Sequence, residues 1–226
     1  MLKVGFVGLG AMGWSMAGHL HRAGLLVAVA NRSHEKAQRF AAEQADVLAL
    51  ADAGELAAHC DVVISCVTAD ADVLGLAAAL AAKAKPGFVL VDTSTIASTS
   101  ARKAAELLRA VGADFLDAPL SGGVEGARNG KLSVMVGGDA QTLEPVRAAL
   151  DTFAARITLM GEVGAGQNTK AVNQVLVAGI AQAVCEGLAL GEALGLSADK
   201  LLPTLGAGAA GNWFLDKRGA TMLRSE

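Results

Sequence analysis

Two hydrophobic periods take turns along this chain. Lys3–Val7 is a short apolar run that reads as a strand, and Met12–Ala23 carries apolar positions at helical spacing until Gly24 stops it. Leu26–Ala30 is a second strand, ending at Asn31-Arg32-Ser33, with Ser33 placed to cap a helix over His34–Glu43. The same alternation continues through a short strand at Val47-Leu48, a short helix over Ala53–His59, a strand over Val62–Val67 and a helix over Val73–Ala82. After the Pro86-Gly87 turn come a strand at Phe88–Val91, a helix over Ser98–Val111, strands at Asp114–Asp117 and Leu132–Val136, a helix over Leu143–Phe153 and a last strand at Arg156–Met160. Strands separated by helices of crossover length predict an α/β fold with a doubly wound, mostly parallel sheet.

The alternation stops after the glycine-rich stretch Gly161–Gly166. From Asn168 to about Gly195 only helical periodicity remains, so a boundary is expected near Gly164, with a Rossmann domain over 1–163 and the start of an all-α domain over 164–226. Ala171–Leu196 is apolar enough to suggest a membrane span, but it holds Asn173, Gln174, Gln182, Glu186 and Glu192, and is expected to be a buried helix instead.

Composition narrows the function classes. Among 226 residues, 53% are apolar and only 4% aromatic, so the core must be aliphatic; 18% charged residues leaves much interface to bury. A net charge of −3 gives no general attraction to nucleic acid or to an anionic membrane. Cys60, Cys66 and Cys185 are odd in number and fit no zinc spacing, which predicts a reduced, cytoplasmic setting and no metal. Gly8, Gly10 and Gly13 interrupt the N-terminal apolar run and argue against a signal peptide.

Five segments carry candidate chemistry. Gly8-Leu9-Gly10-Ala11-Met12-Gly13 joins a strand to a helix at the N-terminus, where glycines permit a tight turn and close approach of a pyrophosphate to free helix N–H groups. A plain glycine turn would share the pattern but not the context. Asn31-Arg32-Ser33 ends the second strand, where an NAD-specific site usually places an acid; Arg32 could pair with a 2′-phosphate, which favours NADP(H) over NAD(H), unless it is a solvated surface charge. Asp92-Thr93-Ser94-Thr95 sets hydroxyls at a strand end facing a cofactor, although capping of the next helix would explain some of them. Asp117-Ala118-Pro119-Leu120-Ser121-Gly122-Gly123 could offer backbone N–H groups to a carboxylate, with a plain turn as the competing reading. Lys170, Asn173 and Gln174 share one helical face, where an ammonium could exchange a proton with a substrate oxygen and amides could orient it; a lysine reaching to solvent is the competing reading.

With these pieces in this order the chain resembles the β-hydroxyacid dehydrogenase family, which includes 3-hydroxyisobutyrate dehydrogenases, tartronate semialdehyde reductases and glyoxylate/succinic semialdehyde reductases. Gly8-x-Gly10-x-Met12-Gly13-x-x-Met16-Ala17 looks like the family's cofactor signature, Asp117–Gly123 like its substrate loop, and Gly166-x-x-x-Lys170-x-x-Asn173-Gln174 like its catalytic helix. The resemblance implies Lys170 as acid/base, Asn173 as its supporting amide, and Ser121, Gly122 and Gly123 as carboxylate binders. It also implies cofactor contacts from Val67, Thr68 and Thr95, and the aggregate predicts hydride transfer between a nicotinamide cofactor and a small hydroxyacid or aldehyde acid, in a homodimer or homotetramer. Thr68 stands where many relatives have proline. Relatives usually run on past the position of Glu226, so further helical domain and a second lysine near the nicotinamide are expected there. Phosphogluconate dehydrogenases carry His-Asn after the lysine, whereas Val172 precedes Asn173 here, and imine reductases usually replace the lysine with Asp or Tyr. A non-catalytic NADP-binding interaction module would be marked by loss of the lysine, and Lys170 is present.

Overall fold

The computed structural model describes residues 2–224. Its elements, in chain order, are β1 (Val4–Val7), α1 (Gly13–Arg22), β2 (Leu26–Ala30), α2 (His34–Glu43), β3 (Leu48–Leu50), a 3-10 turn (Ala53–Glu55) running into α3 (Leu56–His59), β4 (Val62–Ser65), α4 (Asp70–Ala81), β5 (Val89–Asp92), α5 (Ser98–Arg109) and β6 (Asp114–Asp117). There follow β7 (Leu120–Ser121), α6 (Gly123–Arg128), β8 (Leu132–Gly137), α7 (Ala140–Asp151), β9 (Ala154–Gly161), α8 (Ala165–Ala193), α9 (Ala198–Gly206) and α10 (Trp213–Leu223).

Strands β3, β2, β1, β4, β5 and β6 lie side by side in that order and all pair in parallel. Alternate residues feed the two faces, as a strand's period of two requires. Val4, Phe6, Val62, Ile64 and Val91 pack beneath α1 and α2 with Met16, Leu20 and Phe40. Val7, Val63 and Leu90 pack on the other face with Leu56, Val73, Leu80, Ala101 and Leu108 from α3, α4 and α5. Both faces are therefore buried, and the strands read as continuous apolar runs. The parallel order ends at β6: β8 pairs antiparallel with β6 and β7, and β9 pairs parallel with β8. Strand periodicity reports burial and carries no direction, so this reversal is invisible in the pattern.

Two local expectations need correction. Ser33 occupies the N-cap position of α2 but its side chain makes no capping bond; the amide of Asn31 instead donates to the Ser33 carbonyl at 3.0 Å. The segment after Gly122, to which the hydrophobic pattern assigns no element, forms α6.

The chain divides into two compact units, one running to Lys170 and one from Ala171 onward. The division falls somewhat beyond the expected 163/164 because the first turns of α8 are docked on the sheet. Asp117 accepts from the Gly164 and Gln167 N–H groups at 2.7 and 2.8 Å, which ties the start of α8 into the first unit.

In the second unit Val184 and Leu188 of α8 pack against Leu215 of α10 and Leu201, Leu202 and Leu205 of α9. The burial expected along α8 is not found: Val172, Val175, Leu176, Leu190 and Leu194 all stand more than half exposed. The helix is long and apolar enough to cross a membrane by length and composition, its most apolar 18 residues having a mean hydropathy of 1.5. Asn173, Gln174, Gln182, Glu186 and Glu192 interrupt that apolar surface, and Gln182 Nε2 donates to Glu186 Oε1 at 2.7 Å.

Candidate active site

The strand order reverses between β1 and β4, and the crevice beyond their C-terminal ends is where an open α/β sheet binds ligands. A cleft of about 630 Å³ occupies that place. Its walls include Gly8 and Gly10 after β1, Asn31, Arg32, Ser33 and Lys36 at β2–α2, and Cys66, Val67 and Thr68 after β4.

The glycine loop is shaped by close backbone approach. Gly8 has φ +95°, and a Cβ there would run into the Cys66 carbonyl; a Cβ on Gly13 would run into the carbonyl of Gly8. Gly10 meets nothing within 4 Å where a side chain would stand, so the loop backbone lies open to the cleft at that point. No side chain caps α1 and no acidic residue stands in its first turn, which leaves the positive end of the helix open to an anion, although the Trp14 N–H is donated to the Gly10 carbonyl. Leu9 turns its side chain into the core, and its N–H donates to Asn31 Oδ1 at 2.9 Å. Both halves of the Asn31 amide are thus spent inside the protein, one on Leu9 and one on Ser33. Ala11 is exposed and Met12 half-buried on the same turn. An open glycine backbone over an uncapped helix, with exposed cations beside it, fits a dinucleotide's pyrophosphate and ribose.

Behind the cleft lies a hydroxyl–carboxylate cluster. Asp92, fully buried at the end of β5, accepts from Ser65 Oγ at 2.7 Å and Ser94 Oγ at 2.6 Å on one oxygen, while its Oδ2 has no partner. Ser94 Oγ in turn accepts from the Val67 N–H at 2.9 Å, and Thr93 Oγ1 donates to the Ser65 carbonyl at 2.6 Å. The hydroxyls therefore tie the β4 loop to the β5 loop and do not cap α5, whose N-cap residue is Ala97, with its N–H donating to Asp70 Oδ1 at 3.0 Å. Burial pushes the Asp92 carboxyl up to about 6, with the Ser94 and Ser65 bonds working against it. Burial also raises Cys66, so that thiol stays protonated. Thr95 is exposed on the β5 loop. Gln167, buried and absent from the sequence reading, holds the backbone on both sides of Thr95: its Nε2 donates to the Ser94 carbonyl at 2.8 Å and its Oε1 accepts from Ile96 N–H at 3.2 Å.

Lys170 lies one helical turn beyond Gln167. Its Nζ donates to the Leu120 carbonyl at 2.8 Å, directly before Ser121, Gly122 and Gly123. Gly122 and Gly123 have successive φ values of +125° and +61°. Lys170 is half-buried and has no carboxylate partner among the described residues, and burial lowers its pKa. In the second unit Asn173 is half-buried and donates through Nδ2 to Gln174 Oε1 at 3.1 Å. Among the described residues no cluster of His, Cys, Asp and Glu could hold a metal ion.

A dinucleotide cleft and a half-buried lysine on the helix that follows the Rossmann unit define a nicotinamide-dependent oxidoreductase. Comparison with known proteins narrows the class. Residues 3–161 match the family model of the NAD binding domain of 6-phosphogluconate dehydrogenase, and residues 164–226 match that of the NAD-binding region of NADP-dependent 3-hydroxyisobutyrate dehydrogenase. The NAD-dependent L-serine dehydrogenase of Pseudomonas aeruginosa is 39% identical over 219 residues, covering 96% of this chain and 73% of the relative. The Mycobacterium tuberculosis 3-hydroxyisobutyrate dehydrogenase, solved with L-serine, superposes with a TM-score of 0.87 at 36% identity, over 96% of this chain and 74% of that one. Psf3, solved with NADP+ and 2-OPP, gives a TM-score of 0.88 at 29% identity, over 98% and 79% of the two chains. The chain belongs to the β-hydroxyacid dehydrogenase family, as an NAD(P)-dependent dehydrogenase of the 3-hydroxyisobutyrate dehydrogenase type.

Proposed function

We propose that the protein interconverts a small 3-hydroxyacid and its aldehyde acid with NADP(H), with Lys170 as the proton donor and acceptor. The observation that carries this reading is the Lys170 ammonium, half-buried, without a counter-ion among the described residues and resting on the carbonyl that precedes Ser121-Gly122-Gly123. The nicotinamide, when bound, accepts or returns the hydride. Lys170 takes the hydroxyl proton in oxidation and returns it in reduction, and a pKa lowered by burial suits it to both. The N–H groups of Ser121, Gly122 and Gly123 receive the substrate carboxylate, and Asn173 and Gln174 orient its hydroxyl. The substrate class gains support from two relatives, one named for L-serine and one solved with it; L-serine and 3-hydroxyisobutyrate share a carboxylate with a hydroxyl on the third carbon.

Preference for NADP(H) is supported by Arg32, Ser33 and Lys36 along one cleft wall and by Asn31 standing at the end of β2 in place of an acid; the Asp72 carboxylate that also lines the cleft comes from α4. We further propose that copies of the chain associate through the exposed apolar side of α8. The deciding experiment is turnover of L-serine, 3-hydroxyisobutyrate, tartronate semialdehyde and succinic semialdehyde with NADP(H) and NAD(H), followed by nicotinamide absorbance. Oxidation of a 3-hydroxyacid that disappears in Lys170→Ala supports the reading; turnover that survives the substitution removes Lys170 from the mechanism.

A further inference from the structure

We propose that His19 is a positioning residue for the substrate: from the helix that carries the cofactor loop, its ring holds in place the short helix that carries Ser121, Gly122 and Gly123. The proposal rests on the reading of that loop as the carboxylate-binding element.

Helix α6 spans only Gly123–Arg128 and contains two glycines, so it cannot be stable by its own propensity. Its last carbonyls need donors from elsewhere. His19 supplies one: its Nε2 lies 3.0 Å from the Ala127 carbonyl and 3.1 Å from that of Arg128. One turn further along α1, Arg22 Nη2 donates to His19 Nδ1 at 2.9 Å. A guanidinium can only donate, so Nδ1 must present a lone pair and the single ring proton must sit on Nε2. Arg22 thereby selects the neutral tautomer whose N–H points between the two carbonyls. The turn after α6 closes on the same ring, since a Cβ on Gly130 would come within 3.2 Å of it.

At the other end of α6 the Gly126 N–H donates to the Gly122 carbonyl at 2.9 Å. A shift of α6 is therefore a shift of Gly122 and Gly123. Helix α1 serves two sites: its first residue, Gly13, closes the cofactor loop, while His19, on a later turn, sets the position of the carboxylate loop.

The test uses the full chain carrying His19→Leu or His19→Gln. Leucine removes both bonds, whereas glutamine restores a donor and an acceptor at similar reach. With NADP+ as cofactor, His19→Leu is expected to raise the KM for L-serine or 3-hydroxyisobutyrate about tenfold, the scale of one net hydrogen bond. The NADP+ Kd should hold and kcat should change far less than KM, and His19→Gln should recover most of the loss. Amide exchange over residues 122–128 should quicken in His19→Leu while residues 8–13 keep their protection. Unchanged KM, or equal weakening of cofactor and substrate without rescue by glutamine, overturns the proposal. A wild-type chain that binds NADP+ but oxidises neither hydroxyacid overturns the functional reading itself. Unchanged exchange at 122–128 overturns the clamp whatever the substrate.

Discussion

Asp92 and Asp117 sit opposite each other in register on the adjacent parallel strands β5 and β6, both fully buried, and they spend their charges in different ways. Asp117 gives both carboxylate oxygens to N–H groups at the start of α8. Asp92 gives one oxygen to two hydroxyls and leaves the other bare. Burial raises the pKa of each, and the neighbouring Asp117 charge raises that of Asp92 further.

The Asp92 arrangement makes stability fall with rising pH. Its folded pKa of about 6 exceeds the ordinary carboxyl value, so the folded state holds the proton more tightly than the unfolded chain. The contribution is complete below about pH 4 and lost as pH rises through about 6, amounting to about 2–3 kcal/mol. Asp92→Asn should therefore unfold at higher urea than wild type at pH 8, with the difference shrinking towards pH 4. A difference independent of pH would show that Asp92 titrates normally in the fold.

Asp117→Asn should loosen the start of α8. An amide can replace one acceptor but turns an NH2 toward the Gly164 or Gln167 N–H, leaving donors face to face. The expected cost is about 2–3 kcal/mol, read as a lower urea midpoint, with faster amide exchange at residues 164–168.

Lys170→Ala should lower kcat by about 10²-fold or more while leaving NADP+ affinity in place. In wild type, kcat for oxidation should rise with pH as the lysine sheds its proton, and the rise should fall below the ordinary lysine range because burial lowers this pKa. A pH profile that survives in Lys170→Ala would assign the titration elsewhere.

Arg32→Ala should weaken NADPH by about 1–3 kcal/mol and leave NADH nearly unchanged, as loss of a charge-assisted hydrogen bond requires. Lys36→Ala should act in the same direction with a smaller effect, since an ammonium is a point charge without the guanidinium fork. Titration calorimetry with both cofactors separates this outcome from equal loss, which would make the two cations general contributors to the cleft's field.

The glycine loop, the strands and the Lys170 helix were legible because each rests on a local pattern: a spacing, a period of two, a period of 3.6. What stayed hidden depends on contacts remote in sequence. Lys36 looks like any solvated lysine on α2 until the cleft is folded around it. Gln167 reads as one more polar residue, yet its amide brackets Thr95 from seventy residues away. Helix α6 has too little propensity to announce itself and exists through His19 and its neighbours. Asn31 was read for what it fails to offer a ribose, and the structure adds that its amide braces the glycine loop. The exposed side of α8 has the apolar pattern of a buried one, because an apolar helix in isolation gives no sign of what covers it.

The interlock of Gly8 and Gly13 bears on how this loop can change over generations. A side chain at Gly8 collides with the main chain of Cys66, and one at Gly13 collides with the main chain of Gly8. Obstacles made of backbone are present whatever the neighbouring residue types, so no second-site suppressor can clear them. In a saturation scan both positions should stay intolerant in every genetic background, whereas Gly10, with open space before it, should accept small residues for folding and lose them only under selection for cofactor use. Heritable change in the loop should therefore enter through Gly10, with Gly8 and Gly13 passed on together.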